Sequence, residues 1–288
     1  MASLDRKGSY KKVSLCILQS FKTISLTSIR LLCSIFILNS LVCVTFKTTP
    51  RFNIFPDAEI EMPGEECLWN AETEDEWQTL MMTTPPFSRM SLIDAVSQVA
   101  FGQGDHGDAT KWSDFTITTV MHAVNVHLWH QRQCTKRFSD YHASPASLST
   151  AEEATNRHSE SILSHCRSFF PGQDSEQEQS LDEPGGSRRS NGFASLRMAY
   201  NQSSITNRTL NCMILFSADK EYVMHEIAAY IQSGQERSSL ATRTAGLALD
   251  GILTAVKAGP ILARKIACLT WSIDHAIADW DCGTLAPD

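Results

Sequence analysis

No two cysteines in this 288-residue chain stand three apart, so it lacks the Cys-x-x-Cys pairs from which zinc modules and redox motifs are built. The nine cysteines are odd in number, and most sit in apolar runs such as Leu32-Cys33-Ser34-Ile35. That usage fits reduced, buried thiols of an intracellular protein better than a disulfide framework. Fourteen glycines and ten prolines are too few for a collagenous or proline-rich fibre. No stretch alternates apolar and polar residues over the length of a strand, and no internal repeat occurs. There is no Gly-x-Ser-x-Gly elbow and no glycine-rich phosphate loop. Positive charge is also short: the net charge is −7. It divides unevenly, +6 over residues 1–50 and −13 over residues 51–288. An acidic body is repelled by nucleic-acid phosphates, and the basic start is too dilute and too apolar for a DNA-binding arm.

What the chain does have is apolar material, 42% of residues against 20% charged, enough for a core. Leu31 to Phe46 is sixteen residues without a charge. It admits three readings: a membrane segment, short of the ~20 residues a bilayer needs; the apolar part of a signal peptide, though it starts thirty residues in; or a core helix, apolar nearly all round. The sequons at Asn201 and Asn207 carry meaning only in a secreted chain. Residues 57–76 hold nine acids and no base, which reads as a solvated face. Within them Thr73-Glu74-Asp75-Glu76 has the form of a capping box, with Thr73 accepting from the first turn and Glu76 reaching back. The helix it starts passes Trp77, Leu80 and Met81 and stops at Pro85-Pro86.

Further helices follow. One runs from Ser91 to Phe101 and is ended by Gly102-Gln103-Gly104. Another is capped by Ser113 or Asp114 and extends to about Arg137, with Ile117, Val120, Met121, Val124 and Leu128 on one face. Residues 139–192 are polar, and Gln173 to Asn191 is too poor in apolar side chains to fold, so a flexible insert is expected, holding one marginal helix near Ile162 to Phe170. Helical spacing resumes over Leu210 to Ile231, over Ser239 to Lys257, and from Pro260 through Leu262, Ile266, Leu269, Ile273 and Ile277. The expectation is an all-α fold of about seven or eight helices. A basic tail (1–27) precedes a first helical block (28–138), the flexible polar insert (139–192) and a second helical block (193–288).

Sites of chemistry stop at near-misses. His225-Glu226 begins like a zinc-protease helix, but Ala229 stands where the second imidazole is needed. Ser217-Ala218-Asp219-Lys220 matches the Ser-x-x-Lys of penicillin-binding enzymes without the companion motifs. His127, His130 and Cys134 share one helix face, as three zinc ligands or as hydrogen-bonded side chains of an amphipathic face, and the second reading is preferred. Asp105-His106-Gly107-Asp108 reads as a polar turn rather than a calcium loop. The six tryptophans fall near helix ends and read as core anchors. No catalytic, cofactor-binding or metal residue is assigned, and no enzyme is expected.

Several segments together resemble the regulatory domain of fungal transcription factors. Phe36-Ile37-Leu38-Asn39-Ser40, then Phe52-Asn53-Ile54 and Ile60-Glu61-Met62-Pro63, look like that domain's helix ending in Phe-x-Leu-Asp with its proline-bearing loop. Leu68-Trp69-Asn70-Ala71 with Glu76-Trp77 is similar to its Leu-Trp-Glu-Ala and Glu-Glu-Trp pieces. Thr119-Val120-Met121-His122-Ala123 and Leu128-Trp129 resemble its Leu-Leu-His-Ala and Ile-Trp helix. Thr270-Trp271 through Asp279-Trp280-Asp281-Cys282 looks like its closing helix. The matches run in order from about residue 28 to residue 282.

The resemblance implies the fungal-specific regulatory domain, also called the middle homology or xylanolytic-activator domain, in the branch with two-Cys two-His fingers. It implies a nuclear protein controlling transcription by RNA polymerase II through contacts with other regulators or the transcription machinery. DNA would be reached only indirectly, through a zinc module that is missing or separate. Zinc is implied for that module alone, no cofactor for this chain, and a membrane is not expected. Asn39 stands where the pattern has Asp, and residues 1–27 show no zinc-finger spacing. The resemblance therefore suggests the later part of a regulator, as a truncated gene model, a decayed copy or a standalone piece. The alternative from another class is an N-terminally anchored or secreted helical protein.

Overall fold

The computed structural model describes residues 27–51, 60–63, 66–83, 90–102, 112–142, 145–168, 190–204, 214, 217–232, 242–247, 249 and 277–278. The fold is all-α, as the sequence implies. Its helices are α1 (Thr27–Phe46), α2 (Glu66–Asn70), α3 (Glu74–Thr83), α4 (Leu92–Phe101), α5 (Asp114–His142), α6 (Pro145–Ser168), α7 (Ser190–Ser204) and α8 (Lys220–Gln232). Residues 242–247 are helical as well. Among the described residues extended pairing is confined to one antiparallel bridge, Glu61 with Ser91. There Met62 N–H donates to the Met90 carbonyl and Leu92 N–H to the Ile60 carbonyl, both at 2.9 Å.

Short polar side chains set the helix starts. Ser91 caps α4, its hydroxyl oxygen accepting from Asp94 N–H at 3.2 Å and donating to the Asp94 carboxylate at 2.6 Å. Gly102 closes α4 with φ +64, the left-handed conformation that glycine adopts without Cβ strain. Ser113, not Asp114, caps α5: its Oγ accepts from Thr116 N–H at 3.2 Å and its carbonyl from Ile117 N–H. The box before α3 forms with a change of partner. Thr73 Oγ1 accepts from Glu76 N–H at 3.2 Å, but the Glu76 carboxylate accepts from Glu72 N–H at 3.0 Å, one residue upstream of the Thr73 N–H that such a box engages.

α5 is the central helix. Every residue from Thr118 to Val126 is buried, so its core contact is a full cylinder and not the one-sided face that Ile117, Val120, Met121, Val124 and Leu128 suggest. Ile117 itself is only half-buried. α7 makes the most extensive contact with α5, while α4 packs on both α5 and α6. One apolar core joins Phe36 of α1, Leu92, Val96 and Val99 of α4, Val120, Met121 and Leu128 of α5, Ile162 and Leu163 of α6, and Leu196 and Tyr200 of α7 with Leu247. A smaller cluster gathers Leu41 and Val44 of α1, Ala194 and Met198 of α7, and Ala278.

Two expectations change. The first and second helical blocks are not separate, because α5 and α7 close on each other across residues 139–192 and share one core. And that polar stretch is not a flexible insert throughout. Residues 145–168 form the 24-residue α6, where the sequence suggested one marginal helix from Ile162. Ser159, Ile162, Leu163 and Cys166 recur at the 3–4 residue period of one helix face and are buried, which anchors a helix whose other sides stay in water. Gln173 to Asn191 lies, up to residue 189, outside the described residues; Ser190 and Asn191 already belong to α7.

The segment read as a helix from Leu210 contains a break. Ser217 to Asp219 is non-helical, and Asp219 caps α8 by accepting from Glu221 and Tyr222 N–H at 3.0 and 3.2 Å. Pro85-Pro86, residues 1–26 and most of the last two expected helices lie outside the described residues.

Candidate functional site

The interior holds a polar junction where three helices meet. Ser40 comes from α1, His122 and Asn125 from α5, and Ser195 from α7, all fully buried. His122 Nδ1 lies 3.1 Å from Ser40 Oγ, and its Nε2 lies 3.3 Å from Ser195 Oγ. The Ser40 hydroxyl donates to the His122 carbonyl at 3.3 Å. With that proton committed, Ser40 Oγ accepts from the imidazole, which places the ring proton on Nδ1 and lets Nε2 accept from Ser195. Asn125 Nδ2 donates to the carbonyls of Met121 and Ser195 at 3.1 and 3.0 Å. A serine facing a histidine invites comparison with a nucleophile and its base, but both are sealed from solvent and tied to neighbouring helices. The junction is a fastener: it fixes how α1 and α7 register on α5, since buried polar groups tolerate only the arrangement that satisfies them.

A second histidine group lies where α4, α5 and α6 meet. The Phe101 ring is stacked on His158 and meets His127 edge-on, each with centroids 6.1 Å apart. Burial, then the nearby His158 and His130, hold the His127 pKa below its ordinary value, and burial alone does so for His130. His130 faces the half-buried Trp129 at 5.1 Å. Cys134, the third residue of the candidate zinc face, is exposed. Among the described residues no group of three His, Cys, Asp or Glu is placed to hold a metal ion. Nearer the end of α5, Arg132 is pushed down to about 10 by burial and donates to the Ser203 carbonyl at 3.3 Å. A cation there satisfies one of the terminal carbonyls of α7 and opposes the negative end of its dipole.

The other near-misses resolve into local structure. Ser217 Oγ accepts from Asp219 N–H at 3.2 Å, so Ser217-Ala218-Asp219-Lys220 is the entry turn of α8. His225 pairs with Glu226 at 3.8 Å on an exposed surface, its side chain 80% accessible. Asp105 to Asp108 lies outside the described residues. Among the tryptophans Trp112 is a core anchor, whereas Trp69 is 46% exposed and lies under the Arg30 guanidinium at 4.6 Å. Asn39 preserves an acceptor in place of Asp, taking Arg51 N–H at 3.2 Å. Burial pushes the thiols of Cys33, Cys43 and Cys166 up to about 11, 12 and 12, which keeps them protonated and unreactive. Cys67 and Cys134 are exposed free thiols.

Two findings bear on the anchored or secreted alternative. α1 begins at Thr27 and spans 20 residues, long and apolar enough to cross a bilayer, where the sequence reading gave sixteen. Yet Cys33, Phe36, Ser40, Leu41, Cys43 and Val44 are buried against the other helices, so one side of α1 is committed to the core. Asn201, the first sequon asparagine, is fully buried in α7 and closed to a glycosylating enzyme in the folded chain. Asn207 lies outside the described residues.

The geometry thus defines an all-α domain whose buried polar residues lock helices together. Residues 209–286 match the family described as the fungal transcription factor C-terminal domain, about a quarter of the chain and the last part of the span over which the resemblance runs. That match supports a fungal transcription factor regulatory domain, and it suggests regulation of transcription rather than catalysis. No curated protein and no solved structure matches the chain. The matched stretch is joined to the helices before it: Leu247 sits in the main core, Thr244 Oγ1 donates to the Tyr200 carbonyl at 3.4 Å, and Ala278 packs with α1 and α7.

Proposed function

We propose that this chain is the helical regulatory part of a fungal transcription factor, acting in the nucleus and controlling RNA polymerase II transcription through contacts with other regulatory proteins or the transcription machinery. The observation that carries the reading is the match of residues 209–286 to the fungal transcription factor C-terminal domain. The charge agrees with it: a net −7 disfavours direct binding to phosphates, so promoters are reached through a DNA-reading module and not through this surface. Chemistry is left to partners, and the contribution of this chain is a shaped helical surface.

The test joins the full chain to an unrelated sequence-specific DNA-binding module and reads a reporter carrying that module's sites in a fungal host. A change of several-fold in either direction, relative to the module alone, is expected. A fusion that is nuclear, intact and without effect on the reporter overturns the reading.

A further inference from the structure

α1 carries two apolar faces, and the fold uses one. Cys33, Phe36, Ser40, Leu41, Cys43 and Val44 point into the molecule. On the opposite side Leu31, Ile35, Leu38 and Val42 are 60, 40, 59 and 48% exposed, with Leu32 beside them at 44%. The spacings 4, 3 and 4 keep them in one stripe. They also fit a heptad frame, with Leu31 and Leu38 at d and Ile35 and Val42 at a. Leucine at d with β-branched residues at a is the combination that favours parallel two-stranded coiled coils. In an ordinary coiled coil the outer positions face water; here they are the ones that face the core. From those residues we propose that the exposed stripe of α1 is a homodimerisation seam, pairing in parallel with α1 of a second copy of this chain.

A lipid surface fits the same stripe less well. Arg30, which adjoins Leu31 in sequence, is already over the rings of Trp69 and Phe115 at 4.6 and 5.1 Å. The chain's net −7 opposes approach to an anionic bilayer. The seam residues themselves carry no charge, so pairing two copies there sets no like charges directly against each other. Burying such a stripe removes leucine, isoleucine and valine side chains from water, and α1 is already helical, so the pairing does not bear the cost of nucleating a helix. Leu31 to Val42 spans only about 17 Å of helix, so the seam falls short of the ~800 Å² per partner of a standard interface and the dimer should be of micromolar strength. The inference does not depend on the transcription reading.

Sedimentation velocity of the full chain from about 1 to about 200 µM decides it. The expected result is a concentration-dependent dimer that Ile35→Glu converts to a monomer with the far-ultraviolet circular dichroism and melting temperature of the parent. Leu31→Glu, at the most exposed of these positions, repeats the test if Ile35→Glu fails to fold. Val42→Cys, in a background with the exposed Cys67 and Cys134 changed to Ser, should form an oxidation-dependent crosslinked dimer that the same background with Val42 intact does not, because a parallel pairing sets each a position against itself. A parent that stays monomeric over the range overturns the proposal, whether residues outside the described set cover the stripe or neutral vesicles bind it. A dimer that survives both Glu variants places the interface elsewhere and overturns it too. A dimer without the Val42→Cys crosslink overturns the parallel arrangement.

Discussion

At the scale of single residues the apolar interior also holds histidines, serines and an asparagine tied to specific partners. His127 shows what that implies for stability. Burial first, and then His158 and His130, lower its pKa in the fold from the ordinary 6.5. The unfolded chain therefore takes up a proton on this side chain at a higher pH than the folded chain does. Between the folded and unfolded pKa values the unfolded state binds more protons, and stability rises with pH there. The contribution is complete above about pH 6.5 and is lost as pH falls below it. Melting temperature should drop as the pH is taken from about 7.5 to about 5.5, and His127→Gln should flatten that dependence without abolishing folding. Equal slopes in parent and variant would show that His127 does not titrate differently on folding.

At the scale of the helix, legibility tracked how local the cause is. The starts of α3, α4 and α5 were readable because Thr73, Ser91 and Ser113 accept from N–H groups three residues ahead, a relation written in consecutive letters. The stop of α4 was readable for the same reason, at a glycine with positive φ. The surroundings of α5 were not readable. Thr119, His122 and Asn125 are polar by type and buried by position, and the residues that tie His122 and Asn125 to other helices, Ser40 and Ser195, lie some 70–82 residues away. α6 was underestimated because four residues at helical spacing suffice to dock a helix whose average composition is that of a loop. The seam on α1 was hidden in a run apolar on every side, where composition cannot say which face the core takes. α3 is the opposite case: none of its residues is buried, and among the described helices its main contact is with α2, so local signals carry more of its stability. Thr73→Ala should remove about 1 kcal/mol of helix-start stabilisation. Faster amide exchange across Glu74–Thr83 with an unchanged global melting temperature is the expected outcome. A fall in the melting temperature would mean that α3 is coupled to the core after all.

At the scale of the whole molecule the decisive feature is that elements distant in sequence complete one another. Thr118 to Val126 of α5 are buried between α1, α4, α6 and α7, and α7 comes some fifty residues after α5 ends. The expected boundary between residues 138 and 193 separates segments of sequence, but it cuts through the middle of the core. A chain ending at residue 142 would keep α1, α4 and α5 yet expose the parts of α4 and α5 that α6 and α7 cover. It would also strip Ser195 from the buried His122 and Asn125, and unpartnered buried polar groups cost about 1–3 kcal/mol each. Losing apolar contact and polar partners together exceeds the roughly 5–15 kcal/mol by which a domain is stable. Residues 27–142 expressed alone should therefore lack near-ultraviolet circular dichroism and a cooperative thermal transition while keeping helical far-ultraviolet signal. A fragment that melts cooperatively would restore the two-block organisation and make the α5–α7 contact a docking of finished domains. If the fragment is molten, the matched stretch at 209–286 is built on a core that begins at α1, and the regulatory surface is a property of the entire chain.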